Sequence, residues 1–176
     1  KKALLICVIA MGLSGCASLM SSAASGPSTN SRLSGWLRKW VGILTGSIPP
    51  GVPDDHYQYL VERIQGQGGR AVVDAHGDLL QKAIEAQPYL VRVNNYVLEM
   101  TTRQRLDDIE AVARAARELQ QRGIGKLCVS LGARGAILLD EVNSYHCTAP
   151  RVRVLSTVGC GDALLGGLIA ADLRGE

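Results

Sequence analysis

Apolar residues after position 40 follow two alternating patterns. Short runs at residues 71–73, 89–93 and 127–129 are mostly apolar and rich in Val and Leu, as expected for strands buried on both faces. The segments between them repeat apolar residues every three or four positions, which predicts helices. These helical positions are Leu79, Leu80, Ala83 and Ile84, then Leu106, Ile109, Ala113, Ala116 and Leu119.

The flanking segments continue the alternation. Apolar residues at helical spacing over positions 57–64 predict a helix that Asp54 or Asp55 caps, after a turn that Pro49 and Pro50 keep irregular. Further predicted elements are a helix through Leu33, Leu37 and Val41, a hairpin of residues 136–139 and 144–147, a strand at Val152 and Val154, and a last helix from about Asp162.

Strands and helices in this order predict an α/β fold with a mostly parallel sheet and right-handed crossovers. The composition agrees, because a chain with 47% hydrophobic residues and no Phe must build its core from Val, Leu, Ile and Ala. Ligands of open parallel sheets bind at the carboxyl ends of the strands. We therefore expect the functional residues just after strands.

Charge and cysteine content exclude several classes of protein. The net charge is +3 and no basic run is longer than Arg38-Lys39, which argues against nucleic-acid binding. Five cysteines, an odd number with no CxxC pair, argue against a disulfide framework and against zinc. The three histidines are too dispersed in sequence to indicate a metal site.

Residues 1–24 form a leader unlike the rest of the chain. Two lysines, an apolar run over residues 3–13 and small residues before Cys16 resemble a bacterial lipoprotein signal peptide, in which lipidated Cys16 would anchor the protein to a membrane. An apolar strand or helix from a damaged or fused N-terminus explains the pattern equally well. Two locations therefore stay open, the cytoplasm and a membrane-anchored lipoprotein.

The segment S-T-V-G-C-G-D at residues 156–162 lies directly before an apolar helix. Its two glycines let backbone N–H groups approach an anion, which the helix N-terminus also attracts. Asp162, in the first helical turn, can accept a proton from a substrate hydroxyl, as phosphoryl transfer requires. On spacing alone, an Asp that only caps the helix explains the segment at least as well.

This segment resembles the T-x-G-A-G-D signature of the PfkB (ribokinase-like) sugar kinases, with Cys160 at the usual alanine. Residues 44–53 (LTGSIPPGVP), 73–77 (VDAHG) and 130–136 (SLGARGA) resemble further family segments in the same order, and Gly26-Pro27 also fits. Residues 25–176 are thus similar to the C-terminal, nucleotide-binding part of a PfkB-type kinase. The similarity is to the 1-phosphofructokinase and tagatose-6-phosphate kinase branch.

The resemblance implies a truncated three-layer α/β/α fold that phosphorylates a phosphosugar with ATP and Mg²⁺. The implied acceptors are fructose 1-phosphate, fructose 6-phosphate and tagatose 6-phosphate; a homodimer stays open. The implied site residues are Asp162 as catalytic base, the backbone of Gly159, Cys160 and Gly161 as anion hole, Ser130, Gly132, Gly135 and Thr157 at the nucleotide, and Asn94 in a magnesium and phosphate network without a direct metal ligand.

Three departures from the family pattern bear on activity. The family's P-N-x-x-E motif carries a glutamate that helps organise magnesium, but Val97, which accepts no hydrogen bond, stands at that position. The half of such kinases that supplies most sugar contacts is missing from this sequence, as are the last elements of the adenine pocket. The alternatives are a catalytically inactive remnant carried as a lipoprotein-like product, and a nucleotide-binding regulatory module without phosphoryl transfer.

Overall fold

The computed structural model describes residues 40–175, so the predicted leader with Cys16, Gly26-Pro27 and the helical spacing over residues 33–39 lie outside the described residues. The strands are β1 (Val41–Thr45), β2 (Arg70–Asp74), β3 (Leu90–Asn94), β4 (Lys126–Ser130), β5 (Ala136–Leu139) and β6 (Ser144–Cys147). The helices are α1 (His56–Gly66), α2 (Gly77–Glu85), α3 (Asn95–Thr102), α4 (Ile109–Gln120) and α5 (Cys160–Arg174), with a 3-10 turn at Gly132–Arg134. Among these helices none has the length and apolar character to cross a bilayer.

The six strands form one sheet in the order β1-β2-β3-β4-β5-β6. Strands β1 to β4 are parallel, and β5 and β6 complete the sheet as an antiparallel hairpin. The predicted mostly parallel sheet and the bounds of the hairpin are confirmed. Crossovers between parallel strands are right-handed. Because each crossover from β1 to β4 leads to the next strand in the same direction across the sheet, the connecting helices all lie on one face.

Helices α1 to α4 cover that face, and α5 covers the other. Successive residues of a strand point to opposite faces, so Val73 packs with the first group of helices while Val72 packs towards α5. The cluster of buried apolar residues on the α5 side consists of Val41, Val72, Leu90, Leu165 and Ile169. The predicted three-layer α/β/α architecture is therefore confirmed.

Several predicted boundaries were wrong. Val41 belongs to β1 and not to a helix. Val152 and Val154 form no strand; they are 69% and 66% exposed and pair with no neighbour in the described chain. Helix α4 begins at Ile109, because the Asp108 carboxylate accepts the Ala111 amide at 2.6 Å and caps the helix there. Leu106 precedes α4 and is buried in the connection.

The start of α1 agrees with the prediction, but its capping differs, and the start of α5 differs. Asp55 occupies the N-cap position of α1, but its side chain makes no capping hydrogen bond. Helix α5 begins at Cys160, two residues before the predicted start at Asp162. The earlier start places Asp162 inside the first turn, so its carboxylate is carried by regular helical backbone.

Candidate active site

The carboxyl ends of β1, β2 and β3 meet the N-terminus of α5 at a cleft of about 330 Å³. Parallel strands end at one edge of a sheet, and this shared edge brings residues distant in sequence together. Side chains or backbone of Asp74, Arg92, Asn94, Gly161 and Asp162 line the cleft. The cleft therefore combines a cation, two carboxylates and the amino end of a helix.

Arg92 points into this cleft from the middle of β3. Its Nη1 donates to the two oxygens of Asp74 at 3.1 and 3.4 Å, and its Nη2 donates to the Ser130 hydroxyl at 2.7 Å. The side chain is only 14% exposed. Its Nε is buried and has no hydrogen-bond partner among residues 40–175. A largely buried guanidinium with a donor left over thus forms the floor of the cleft.

Asp74 and Asp162 are close enough to influence each other. Burial raises the pKa of Asp74, and this outweighs the opposing effect of the Arg92 guanidinium; the negative charge of Asp162 raises the pKa further. Asp162 itself is exposed. One carboxylate is therefore paired and largely buried, while the other stands free at the rim, where a substrate hydroxyl can reach it.

The N-terminus of α5 presents backbone donors to the same cleft. Gly159 precedes the helix with a φ of 80°, a left-handed conformation that favours glycine. The Cys160 amide donates to the Thr157 carbonyl at 3.2 Å, and helical bonding starts with the Ala163 amide donating to Gly159. Within the described chain, the amides of Gly161 and Asp162 have no acceptor, so they are the donors available to an anion.

The predicted anion-hole and base residues are brought together in part. Gly159, Gly161 and Asp162 line the cleft. The Cys160 amide is engaged by the turn, and exposed Thr157 supplies only the carbonyl of that turn in this structure. Their predicted contacts to phosphate and nucleotide stay predictions.

Asn94 lines the cleft, but its side chain already has a structural task. Its Oδ1 accepts the Val97 amide at 2.8 Å and caps α3. Its amide nitrogen keeps two donors for a phosphate oxygen. Val97, which also lines the cleft, adds only apolar surface.

The predicted nucleotide turn at residues 130–135 follows β4. The Ser130 hydroxyl is held by Arg92, and the Leu131 amide donates to the Gly135 carbonyl at 2.8 Å. Gly132 and Gly135 have φ values of 60° and 94° and do not line the cleft. They shape the backbone of the turn, and their predicted contact with a nucleotide stays a prediction.

Sequence reasoning missed the Asp74–Arg92 pair as part of the site. The signal was an arginine between apolar residues in the strand L-V-R-V-N. This arginine lies one residue past the position where β2 and β3 pair through Val73 and Val91. A charged side chain inside a buried strand needs a partner. That partner could not be identified without the register that sets β2 beside β3.

The described residues offer little to a magnesium ion. They contain no group of three or more His, Cys, Asp or Glu side chains arranged to hold a metal. Both Asp74 oxygens face Arg92, and the Asn94 oxygen is engaged by Val97. The residues present thus do not fit a metal ion bound directly by the chain.

Comparisons with known proteins agree with this geometry. The chain is 33% identical over 142 residues to 1-phosphofructokinase of Escherichia coli strain K12, covering 78% of this chain and 46% of that protein. It is 36% identical to 1-phosphofructokinase of Rhodobacter capsulatus, covering 77% of this chain and 43% of that protein. The chain therefore spans less than half the length of these curated relatives.

Solved structures show the same likeness. Phosphofructokinase-2 from Escherichia coli in complex with substrates and products matches with a TM-score of 0.72 and 31% identity, covering 77% of this chain and 45% of that one. The family model of the pfkB family carbohydrate kinases matches residues 39–176. With that match over most of its length, the chain belongs to the pfkB family of carbohydrate kinases.

Proposed function

We propose that residues 25–176 are the nucleotide-binding part of an ATP-dependent kinase that phosphorylates a phosphosugar. The observation that carries the proposal is the single cleft shared by the exposed Asp162 carboxylate, the free Gly161 amide and the Arg92 guanidinium. The first can accept a proton, and the other two can hold negative charge. Phosphoryl transfer depends on this combination.

In the proposed reaction, Asp162 accepts the proton of the acceptor hydroxyl while the hydroxyl oxygen forms a bond to the γ-phosphorus of ATP. The bond from that phosphorus to the bridging oxygen breaks, and ADP leaves with the electron pair. The Gly161 amide and Arg92 hold the phosphoryl oxygens through the transfer. Magnesium bound to ATP would neutralise phosphate charge, and the described residues of the cleft would not hold the ion directly.

For the acceptor we propose a ketohexose phosphate, with fructose 1-phosphate ahead of fructose 6-phosphate and tagatose 6-phosphate. The support is that the curated relatives named above are 1-phosphofructokinases. Because the chain spans less than half of their length, the remaining sugar contacts would come from a further part of a complete kinase. We therefore expect the 176-residue chain alone to bind ATP and to show little or no turnover, since such catalysis rests on positioning.

A second candidate is a nucleotide-binding module that transfers no phosphoryl group. Val97 favours it, because an apolar side chain lines the cleft where the family resemblance implies a glutamate. The Asn94 oxygen is also engaged in capping α3. The two candidates share ATP binding and differ in transfer.

ATP binding is tested by melting the full 176-residue chain with and without ATP; an increase in Tm is expected, and its absence would contradict both candidates.

Transfer is tested by placing residues 40–175 in the matched segment of Escherichia coli 1-phosphofructokinase and following ADP release with each acceptor. The proposed kinase function is supported if the chimera is active and the substitution Asp162→Asn lowers its activity by about 10²-fold or more. Asp78→Asn, in the first turn of α2, is the control. An inactive chimera that still binds ATP would favour the module.

A further inference from the structure

We infer that this cleft binds the phosphates of ATP through Arg92, and that magnesium does not strengthen the binding. The inference rests on the proposed nucleotide site and concerns how its negative charge is balanced. In the family resemblance, a glutamate at position 97 helps organise magnesium. Here valine occupies that position, and the cleft carries a fixed cation of its own.

The acceptor oxygens that would favour a magnesium complex are largely engaged. A cleft that held the magnesium complex of ATP preferentially would offer oxygens to the ion or to its waters. Asp74 directs both oxygens at Arg92, and the Asn94 oxygen accepts the Val97 amide at 2.8 Å. Asp162 is the carboxylate at the rim without such a partner, and in the proposed reaction it faces the acceptor hydroxyl as base, which leaves no further carboxylate for the ion.

Arg92 is positioned to take phosphate in place of the metal. Its guanidinium is held in a defined orientation by Asp74 and Ser130, so little side-chain freedom remains to be lost on binding. It also lies directly against the first turn of α5, where a Cβ on Gly161 would come within 2.7 Å of Nη1. A phosphate oxygen near Gly161 would therefore meet the free amide and the guanidinium together.

Burial of the Arg92 charge supports the same assignment. The side chain is 14% exposed and its Nε is enclosed by the chain, so a ligand in the cleft would meet the guanidinium through its Nη atoms. The attraction between a largely buried cation and a phosphate is screened little by water and salt. Free ATP also carries more negative charge than its magnesium complex, so a cleft that relies on a fixed cation gains nothing from the metal.

The direct test is calorimetric titration of ATP into the full 176-residue chain, with EDTA in one series and excess MgCl₂ in the other at equal ionic strength. We expect the two Kd values to agree within about threefold, a difference of less than 1 kcal/mol. Binding that is at least about tenfold tighter with MgCl₂ would overturn the inference and leave the proposed nucleotide site standing. No binding in either series would overturn both.

Variants separate the cation from the metal. Arg92→Gln should weaken ATP binding about tenfold or more in EDTA, as expected for a charged hydrogen bond. Arg122→Gln is the control. It removes an equal charge beyond the end of α4, where Arg122 contacts Gln81, and should leave ATP binding unchanged. Arg92→Lys, which keeps the charge, should recover part of the affinity. Equal loss in Arg122→Gln would contradict a specific role for Arg92.

Substitution at position 97 tests whether a carboxylate in the cleft makes ATP binding depend on magnesium. Val97→Glu places a carboxylate on the cleft and should make ATP binding tighter in MgCl₂ than in EDTA by about threefold or more, because magnesium can then bridge carboxylate and phosphate. Val97→Gln introduces a side chain of equal length without charge, and its ATP affinity should be the same in MgCl₂ and in EDTA. Magnesium dependence already present in the unsubstituted chain would overturn the inference without any variant having to fold.

Discussion

Gly161 and Arg92 are in such close contact that a Cβ at position 161 would lie 2.7 Å from Nη1 and 2.8 Å from Nη2 of the arginine. Asp74 and Ser130 hold the guanidinium from the other side, so it cannot retreat without losing hydrogen bonds. The glycine before Asp162 therefore does more than free an amide. It leaves the space in which the cation of the cleft lies.

We predict that Gly161→Ala displaces Arg92 and weakens ATP binding about tenfold, the cost expected when a charged hydrogen bond is lost. The fold should survive, because the group that must move is the end of a flexible side chain and alanine favours the helix. Titration of ATP together with urea unfolding checks both statements. Unchanged ATP affinity in the folded variant would show that Arg92 is not held where binding needs it.

Gly166→Ala is the matched control in the same helix. A Cβ at this position meets nothing within 4 Å. It should raise the free energy of unfolding by about 0.5–1 kcal/mol, because glycine inside a helix is entropically costly. ATP affinity should not change, so a loss there would point to a general effect of stiffening α5.

The second prediction concerns the other end of α5, where Asp172 accepts hydrogen bonds from Tyr89 Oη at 2.8 Å, Arg70 Nη1 at 2.9 Å and Lys126 Nζ. These donors stand at the beginnings of β2, β3 and β4, so one carboxylate joins the helix to three strands. Asp172→Asn should lower the free energy of unfolding by about 1–3 kcal/mol, because it leaves two cations without their counter-charge. Urea denaturation measures this directly.

Glu85→Gln is the control for that substitution. It removes an exposed ion pair with Lys82, 3.5 Å away, and should cost less than about 0.5 kcal/mol. If both variants lost the same amount of stability, the Asp172 cluster would be no more than a set of surface contacts.

The third prediction is the pH dependence of the Asp172 contribution. Burial alone would raise its pKa, but hydrogen bonds from Lys126 and Tyr89 and the nearby positive charges hold the pKa below the ordinary 3.8. The unfolded chain therefore binds more protons at acid pH, and the stabilisation is present above pH 3.8 and lost as pH falls through the native pKa. The difference in unfolding free energy between the natural chain and Asp172→Asn should shrink on acidification. A difference independent of pH between 7 and 3 would contradict this.

The fourth prediction concerns the turn after β4. Gly135 has a φ of 94°, and a Cβ there would lie 1.8 Å from the Cys147 carbonyl oxygen on β6. Neither backbone can yield without breaking the hairpin. We expect Gly135→Ala to cost about 3 kcal/mol or more of unfolding free energy. Gly66→Ala, at an open position in α1, should cost nothing by the same urea measurement.

Much of this fold follows from local patterns. Residues 71–73 and 127–129 are apolar runs too short for helices, and the structure places both in parallel strands. The bounds of the hairpin were predicted because two short runs, A-I-L-L and S-Y-H-C, flank a largely polar segment at residues 140–143 that can turn the chain. Val152 and Val154 show the limit of this reasoning, since an apolar alternation forms a strand only where a neighbour accepts its hydrogen bonds.

The candidate site also contains residues that the sequence predicted and residues that it did not. Gly159, Gly161 and Asp162 were identified from consecutive residues, because a glycine-rich turn before a helix is a local feature with a local chemical meaning. Arg92 and Asp74 were not, although both stand in predicted strands. Their relation depends on β2 lying beside β3, a contact that neither segment encodes alone.

By itself the sequence determined most of the order of strands and helices, the family resemblance and the glycine-rich segment before the helix that carries Asp162, because each depends on residues close together in the chain. Only the tertiary structure decided that Arg92 lies between Asp74 and Gly161, that the Cys160 amide is engaged, and that Asp172 joins α5 to three strands. The physical reason is that charge pairing and close packing depend on distances in space, which are set when the sheet assembles.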